Sequence, residues 1–312
     1  MGLRAAVFCH NGLGDGVNCL VLSNNLHLNG WHVDTYQNII GSMQNWFPHL
    51  QVKSYPNVSE ISKILNLYNW FFVVHNDENE FVLKLIKEGK RRFSERVKVI
   101  YLYPSRGIMK EPYYSDCLTQ PDRSIAENLR RFCIEVLRLP QITRNNGFIP
   151  PSDLVHRKWM KRVVIHPTSA RVTRNWPEEK YVKLALHLQN EGYQIVFVPG
   201  TAEKEKWSKF GLEVAAFPVL HGLASFLYES GYLIGNDSGV GHLASALGIP
   251  TLTICRRKIW AKMWAPSFAK RIVVTPSSWI PNIKGFRLRD RYWRKLISVS
   301  TIFRSFKKLI RL

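Results

Sequence analysis

Apolar runs alternate along the chain with amphipathic stretches. Short continuous runs of buried-type residues predict strands, and longer stretches with helical spacing predict helices. In the first half of the chain, the predicted strands are 4–10, 32–37, 69–77 and 98–104, and the predicted helices are 16–30, 80–92 and 124–138. This strand–helix–strand order predicts an α/β fold built on a parallel sheet.

The alternation stops at residues 140–153, a segment punctuated by prolines, Asn-Asn and Gly that predicts a linker. It then restarts, with predicted strands at 162–167, 193–200, 232–237 and 250–255 and predicted helices at 177–192, 201–211 and 238–248. We therefore expect two Rossmann-like domains, 1–150 and 151–285, facing across a cleft. Ligands of such sheets bind at the carboxyl ends of the strands, so the loops there are the candidate sites.

The last segment, 286–312, predicts a basic amphipathic C-terminal helix. Its apolar stripe is Tyr292, Leu296, Val299, Phe303, Phe306 and Ile310, and lysines and arginines fill much of the remainder. Such a helix can lie in an anionic membrane interface. It can equally pack its stripe on the N-terminal domain. Both alternatives stay open, with domain packing first and the basic outer face towards lipid.

The charge of the chain is strongly positive, with 44 Lys and Arg against 23 Asp and Glu among 312 residues. A net charge of +21 attracts polyanions such as nucleic acid, anionic membrane or a phosphorylated substrate. The basic residues are dispersed and no known RNA- or DNA-binding module is recognisable, which disfavours a nucleic-acid partner.

The five cysteines are odd in number and form no Cys-x-x-Cys pair, which favours a reducing compartment. No apolar run is long enough to span a bilayer, and the N-terminus does not resemble a signal peptide. The expectation is a cytoplasmic protein, with a peripheral contact to the inner face of the cytoplasmic membrane left open.

The turn after the first predicted strand contains Gly12, Gly14 and Gly16 around Asp15. A dinucleotide-binding turn would have a third glycine where Val17 stands, and Asp15 would repel a pyrophosphate at this helix N-terminus. The turn therefore favours presenting Asp15 as a catalytic carboxylate. Two alternatives remain: Asp15 caps the helix, or the protein binds NAD.

Two loops of the second half have the composition of a diphosphate and sugar site. The loop after strand 162–167 contains Thr168, Ser169 and Arg174, and hydroxyl and guanidinium groups suit a diphosphate. The strand ending near Asn236 is followed by Asp237, Ser238 and Gly239, which open a helix whose free N–H groups suit an anion. His242, on that helix, is expected to be a core residue.

Four segments together resemble glycosyltransferase family 9, the ADP-heptose:lipopolysaccharide heptosyltransferases. They are "GLGD" at 12–15, "RNWPEE" at 174–179, "FVPGTAEKE" at 197–205 and "NDSGVGHLASALGIPT" at 236–251. The resemblance implies a GT-B fold and an inverting transfer of heptose from ADP-heptose to the phosphorylated, lipid-linked inner core of lipopolysaccharide. It implies an acceptor held by the N-terminal domain and a donor held by the C-terminal domain, with no cofactor and no metal. The chain contains no DxD motif.

Carried over by position, the resemblance implies that Asp15 is the general base. It implies that the donor contacts are Thr168, Ser169, Arg174, Glu203, Asp237, Ser238 and Gly239. Three positions depart from the family pattern: Arg174 stands where many members have Lys, Asn18 where many have His, and Val240-Gly241 before His242. A related enzyme with another nucleotide sugar or acceptor is therefore an alternative, and a basic nucleic-acid-binding protein is a more distant one.

Overall fold

The computed structural model describes residues 2–74, 79–100, 119–283 and 286–312. The described chain divides into two compact units, Met1–Ile149 and Pro150–Leu312. Each unit contains one parallel five-stranded sheet in its described part.

The first unit has the strand order β3-β2-β1-β4-β5. Its strands are Arg4–Cys9 (β1), His32–Tyr36 (β2), Gln51–Lys53 (β3), Trp70–Val74 (β4) and Val97–Ile100 (β5). Its α-helices are Leu13–Leu28 (α1), Ile61–Leu67 (α2), Glu80–Phe93 (α3) and Ile125–Glu135 (α4), joined by short 3₁₀ turns at Ile40–Trp46, Val58–Glu60 and Ser94–Arg96. This strand order is one half of a Rossmann sheet.

The second unit has the order β10-β9-β8-β6-β7. Its strands are Trp159–His166 (β6), Gln194–Phe197 (β7), Ser230–Asn236 (β8), Thr251–Ile254 (β9) and Arg271–Val274 (β10). Its helices are Glu178–Asn190 (α5), Lys204–Ser208 (α6), Leu220–Tyr228 (α7), Gly239–Ala246 (α8), Lys258–Trp264 (α9), Leu288–Leu296 (α10) and Val299–Leu309 (α11), with 3₁₀ turns at Val172–Arg174 and Thr201–Glu203.

The central strands are apolar on both faces because helices cover both sides of each sheet. In β1 every residue from Ala5 to Cys9 is fully buried, and β8 is buried along its whole length. Continuous apolar runs of this kind are typical of parallel sheets. The predicted α/β class with two parallel sheets is confirmed.

Several predicted boundaries were wrong. Helix α1 begins at Leu13 rather than at residue 16, so the glycine turn is largely the first turn of the helix. The predicted helix 201–211 is a 3₁₀ turn followed by the short α6. The analysis gave no prediction for the edge strands β3 and β10 or for the helices α2, α7 and α9.

The C-terminal tail forms two helices, α10 and α11, rather than one. Ser298 breaks the helix, and its hydroxyl accepts a hydrogen bond from the backbone N–H of Thr301 at 3.1 Å as the N-cap of α11. Because of this break, Tyr292 and Leu296 of the predicted stripe are exposed, whereas its members on α11 pack on the core of the second unit. Trp293, Ile297, Ile302, Phe306 and Leu309 are the tail residues that enter the core of the second unit.

The expectation that the stripe packs on the N-terminal domain was therefore wrong, because α11 packs within its own unit against α5, β9 and β10. Phe306 is fully buried there, and its ring meets the rings of Tyr193 and Tyr232 edge-on at 5.2 Å each. The tail is a structural part of the second unit.

We expect Phe306→Ala to lower the free energy of unfolding by about 3–5 kcal/mol, because it leaves a cavity among rigid aromatic rings. Phe303 on the same helix is only partly buried, and Phe303→Ala should cost clearly less. Urea unfolding of both variants tests this. Equal losses would contradict the placement of α11 in the core.

No helix within the described residues is long and apolar enough to cross a membrane.

Candidate active site

Three candidate donor residues lie at the carboxyl edge of the second sheet. Thr168 follows β6, Glu203 follows β7 and Asp237 follows β8. These three strands are neighbours in the sheet, so the loops that follow them meet at one edge. The loops after these strands are those in which the sequence analysis sought the donor site.

Thr168 and Glu203 converge on Gly200. The buried Thr168 hydroxyl accepts a hydrogen bond from the Gly200 N–H at 3.0 Å. A Cβ atom on Gly200 would lie 3.2 Å from Glu203 Oε2 and 3.8 Å from Thr168 Oγ1. The side chains of Thr168 and Glu203 therefore pack closely around Gly200, where a larger residue would not fit without a shift.

Arg174 and Asp237 both act on the buried thiol of Cys255, which follows β9. The pKa of Cys255 is raised to about 11, mainly by burial; the charge of Asp237 also raises it, and the charge of Arg174 lowers it. Arg174 is exposed and forms no ion pair with any described residue. Its guanidinium group is therefore open to an anionic ligand near Asp237.

The turn that opens α8 is built as predicted from Ser238 and Gly239. Ser238 is the N-cap, and its Oγ lies 3.5 Å from the N–H of Gly241. Gly239 is the first helical residue. The N–H groups of the first helical turn have no partners within the helix, which suits an anion. His242 is buried, as expected for a core residue.

The Ser169 hydroxyl is occupied within its own loop. Its Oγ lies 2.7 Å from Asn175 Oδ1 and 3.0 Å from the Arg171 carbonyl oxygen. A hydroxyl has one proton to donate, so it donates to one of these acceptors at a time. A ligand can therefore contact Ser169 in two ways. It can accept the hydroxyl proton in place of Asn175 or Arg171, or it can donate a hydrogen bond to the hydroxyl oxygen.

Asn236 is a residue that the sequence analysis did not include in the site. Its buried side chain donates to the Pro167 carbonyl oxygen at 2.6 Å and accepts from the Trp176 N–H at 2.9 Å. It thus ties both ends of the Thr168–Arg174 loop to the turn at Asp237. A polar amide at the end of an otherwise apolar strand was the available signal.

We expect Asn236→Ala to lower the free energy of unfolding by about 1–3 kcal/mol, because it leaves a buried carbonyl and a buried N–H without a partner. The Thr168–Arg174 loop should also become more susceptible to proteolysis. Asn175→Ala, in the same loop but only partly buried, is the control. Unchanged stability in Asn236→Ala would contradict the tethering role.

In the first unit, the glycine turn presents Asp15 near the start of α1. Gly12 is the N-cap, and a Cβ atom there would lie 2.1 Å from Asp15 Oδ2. Gly16 packs closely too, since a Cβ atom would lie 2.9 Å from Ile40. Gly14 lies in the first helical turn, where its carbonyl oxygen accepts from Asn18 Nδ2 at 2.7 Å. The Asp15 carboxylate thus folds back over Gly12.

The contact partner of Asp15 is His10, which the sequence analysis did not single out. Asp15 Oδ2 lies 3.3 Å from His10 Nδ1, and both side chains are partly exposed. The helix-cap alternative is not supported, because Gly12 is the N-cap and its N–H donates to His10 Nδ1 at 3.2 Å rather than to Asp15. His10 ends the first predicted strand, directly before the glycines, and that position was the available signal.

In a dinucleotide-binding unit an acidic residue at the end of the second strand holds a ribose, and Asp34 would be that residue here. Asp34 is buried within β2, and its Oδ2 atom accepts from Lys53 Nζ at 2.8 Å and from the Tyr68 hydroxyl at 2.6 Å. The hydrogen bond to Asp34 and the burial around it raise the pKa of Tyr68, with burial the larger cause. The Asp34 carboxylate thus binds residues of the first unit rather than facing a ligand. This disfavours the alternative in which the protein binds NAD.

No group of three or more His, Cys, Asp or Glu residues that could hold a metal ion occurs in the described part of the chain. Four cysteines, at positions 9, 19, 133 and 255, are free thiols, and Cys117 lies outside the described residues.

The fold is that of known two-domain glycosyltransferases. Escherichia coli heptosyltransferase WaaC with ADP superposes with a TM-score of 0.70 at 14% identity, covering 98% of this chain and 100% of WaaC. Escherichia coli ADP-heptose lps heptosyltransferase II gives 0.70 at 14% identity over 99% of both chains. The protein therefore has the GT-B fold.

The sequence matches point to one family within this class of glycosyltransferases. Residues 151–258 match the family model "Glycosyltransferase family 9 (heptosyltransferase)". Lipopolysaccharide heptosyltransferase 1 of Pseudomonas aeruginosa is 37% identical over 98 residues, which are 30% of this chain and 27% of that protein. Lipopolysaccharide heptosyltransferase 3 of Escherichia coli is 24% identical over 221 residues, 64% of this chain and 62% of that protein. These matches span less than two thirds of either relative, and residues 151–258 of the chain are similar to glycosyltransferase family 9.

Proposed function

We propose that this protein is an inverting glycosyltransferase that moves heptose from ADP-heptose to the phosphorylated inner core of lipopolysaccharide. The observation that carries the proposal is the meeting of Thr168, Arg174, Glu203 and Asp237 at one edge of the second sheet. All four lie inside the segment that matches the family model. The names of the relatives support heptose as the sugar.

In this proposal the second unit binds the donor. Arg174 and the N–H groups that open α8 stabilise the diphosphate, whose negative charge grows as the bond to the sugar breaks. Thr168 and Ser169 add hydroxyl contacts to the diphosphate. Asp237 accepts from sugar hydroxyls, and Glu203 contacts the nucleoside. Because arginine and backbone N–H groups supply the positive charge, the proposed reaction needs no metal ion and no cofactor.

The first unit supplies the general base. Asp15 takes the proton of the acceptor hydroxyl as that oxygen attacks the anomeric carbon and the diphosphate leaves. Attack from the face opposite the leaving group inverts the anomeric configuration. His10, in contact with Asp15, holds the carboxylate over Gly12 and thereby acts as a positioning residue.

The acceptor in this proposal is a phosphorylated, lipid-linked glycan, and the net charge of +21 favours such a polyanion. An acceptor of this kind would place the enzyme in the cytoplasm, at the inner face of the cytoplasmic membrane. Salt-sensitive binding to RNA without binding to ADP would instead favour the nucleic-acid alternative.

The donor assignment predicts that Arg174→Ala weakens ADP binding by about 1.5–3 kcal/mol while leaving the melting temperature near that of the wild type. Arg174 is exposed, so its loss creates no cavity in the core. Arg171→Ala removes the same charge from the same exposed loop and is the matched control. Calorimetric ADP titrations of both variants decide the matter, and equal affinities would remove Arg174 from the donor site.

A further inference from the structure

A strongly basic cavity lies in the second unit at the carboxyl ends of β9 and β10, beside the loops that carry the proposed donor residues, none of which lines it. It has a volume of about 650 Å³ and is lined by residues from α9, from the segment after β10 and from α10. The charged lining side chains are Arg256, Arg257, Lys258, Lys262, Arg289 and Asp290. A cavity of this size accommodates a small ligand.

Asp290 organises one wall of the cavity. It is almost fully buried and forms a two-pronged pair with Arg257, with Nε–Oδ1 and NH2–Oδ2 distances of 3.0 and 2.5 Å. Arg256 Nε lies 3.6 Å from the same carboxylate. Burial raises the pKa of Asp290, and the hydrogen bonds from Arg257 and Asn282 more than offset this, so the net pKa is lowered. The carboxylate is thus charged and fully used by the two arginines.

The other three cations have no such partner. Among the described residues, no carboxylate pairs with Lys258, Lys262 or Arg289. With one carboxylate against five cations, the lining carries an excess of four positive charges. Such an excess in one concave site favours a multiply charged anion such as a phosphate monoester.

Large apolar side chains are exposed on the cavity wall and in the chain that follows it between β10 and α10. Trp279, which also lines the cavity, is 92% exposed, and Ile283 and Phe286 are 68% and 53% exposed. Exposed tryptophan and aliphatic side chains beside cations are the composition of a surface that enters a lipid headgroup layer. A soluble phosphate would need the cations but would gain nothing from these side chains.

We propose that this cavity is a lipid-headgroup site, in which the cations hold a phosphate monoester while Trp279, Ile283 and Phe286 enter the membrane interface. The inference rests on the proposed function in one respect only: a lipid-linked acceptor gives the protein a reason to contact a membrane. It also assigns the membrane contact to a different part of the chain from the C-terminal helix. The apolar side of α11 is used in the core of the second unit, so the membrane contact moves to residues 275–283 and 286–289 and their cavity.

Flotation with lipid vesicles tests the proposal on the full chain. Three vesicle types are compared: zwitterionic lipid alone, zwitterionic lipid with phosphatidic acid, and zwitterionic lipid with phosphatidylglycerol at equal anionic charge. We expect the tightest binding to phosphatidic acid, which carries a phosphate monoester. Lys258→Gln/Lys262→Gln/Arg289→Gln should weaken that binding on the order of a hundredfold, since each cation near an anionic surface contributes roughly fivefold.

Two further variants separate the site from general charge attraction. Lys161→Gln/Lys183→Gln/Lys209→Gln removes the same charge from exposed positions elsewhere on the second unit, and it should change binding by about twofold or less because distant charges are screened. Trp279→Ser should weaken vesicle binding about tenfold, whereas Val155→Ser, at another exposed apolar position, should not.

Equal losses in the two triple variants would overturn the proposal, because the attraction would then be non-specific. Binding of inorganic phosphate that depends on the cavity lysines, with no binding to vesicles, would assign a soluble phosphate ligand and overturn the lipid assignment. ADP affinity is measured in parallel and should be unchanged in all four variants. Vesicle binding without any heptose transfer would contradict the proposed function and leave the lipid site standing.

Discussion

Asp15→Asn is expected to lower turnover by roughly 10²–10⁴, because asparagine keeps the size of the side chain but cannot accept the proton of the acceptor hydroxyl. The melting temperature should stay near that of the wild type, since Asp15 is partly exposed and provides no helix cap. ADP affinity should also stay unchanged, because the proposed donor residues belong to the second unit.

The alternatives give different results for the same variant. A carboxylate that only stabilised the helix could be replaced by asparagine with little loss, because the two residues serve similarly near a helix N-terminus. A cofactor's phosphate at this turn would bind better once the negative charge is removed. Full turnover of Asp15→Asn with saturating donor and acceptor would remove Asp15 from the mechanism.

Gly12→Ala is expected to lower turnover by about 10²-fold without unfolding the protein. The new Cβ atom would lie 2.1 Å from Asp15 Oδ2, so the carboxylate must move away from its place over Gly12. Displacement of a catalytic group by about 1 Å can cost this much. The backbone of Gly12, with φ −79° and ψ 142°, is one that alanine adopts freely, so the fold should tolerate the change.

Gly41→Ala is the matched control in the same unit. Its Cβ atom would make an ordinary contact, 3.7 Å from Val52. Its turnover and melting temperature should both remain close to those of the wild type. If Gly12→Ala is as active as Gly41→Ala, the position of the Asp15 carboxylate over Gly12 does not matter for the reaction.

The strands were the most predictable part of the fold. Buried central strands such as β1 and β8 are continuous apolar runs, and this pattern is visible in the sequence alone. The edge strand β3 has only three residues, of which two are exposed, and so carries no such pattern. The start of α1 was misplaced because its first turn is rich in glycine, a residue that normally disfavours helices.

The donor loops could be located because parallel strands place their carboxyl ends at one edge. That rule led to the loops of Thr168 and Asp237 without knowledge of their side-chain contacts, whereas Glu203 came only from the family resemblance. It could not reveal that Asn236 ties two loops together, because those bonds depend on side-chain direction and on a partner about 60–70 residues away.

The basic cavity was also beyond the reach of the sequence. Its cations come from two segments of the chain, around 256–262 and around 289, and each segment alone is an ordinary basic stretch. The tail was misassigned for a related reason. The helix is interrupted before Ser298, so Tyr292 and Leu296 on α10 are exposed while the stripe residues of α11 pack on the core.

The central claim is the proposed transfer of heptose from ADP-heptose, and a donor screen with a heptose-free lipopolysaccharide core as acceptor tests it most directly. Mass spectrometry of the glycolipid measures the sugar added, and the ADP released is measured in the same reaction. The account predicts one heptose per acceptor, equimolar ADP, and no product from UDP- or GDP-sugars. Transfer from a UDP- or GDP-sugar, with none from ADP-heptose, would contradict it.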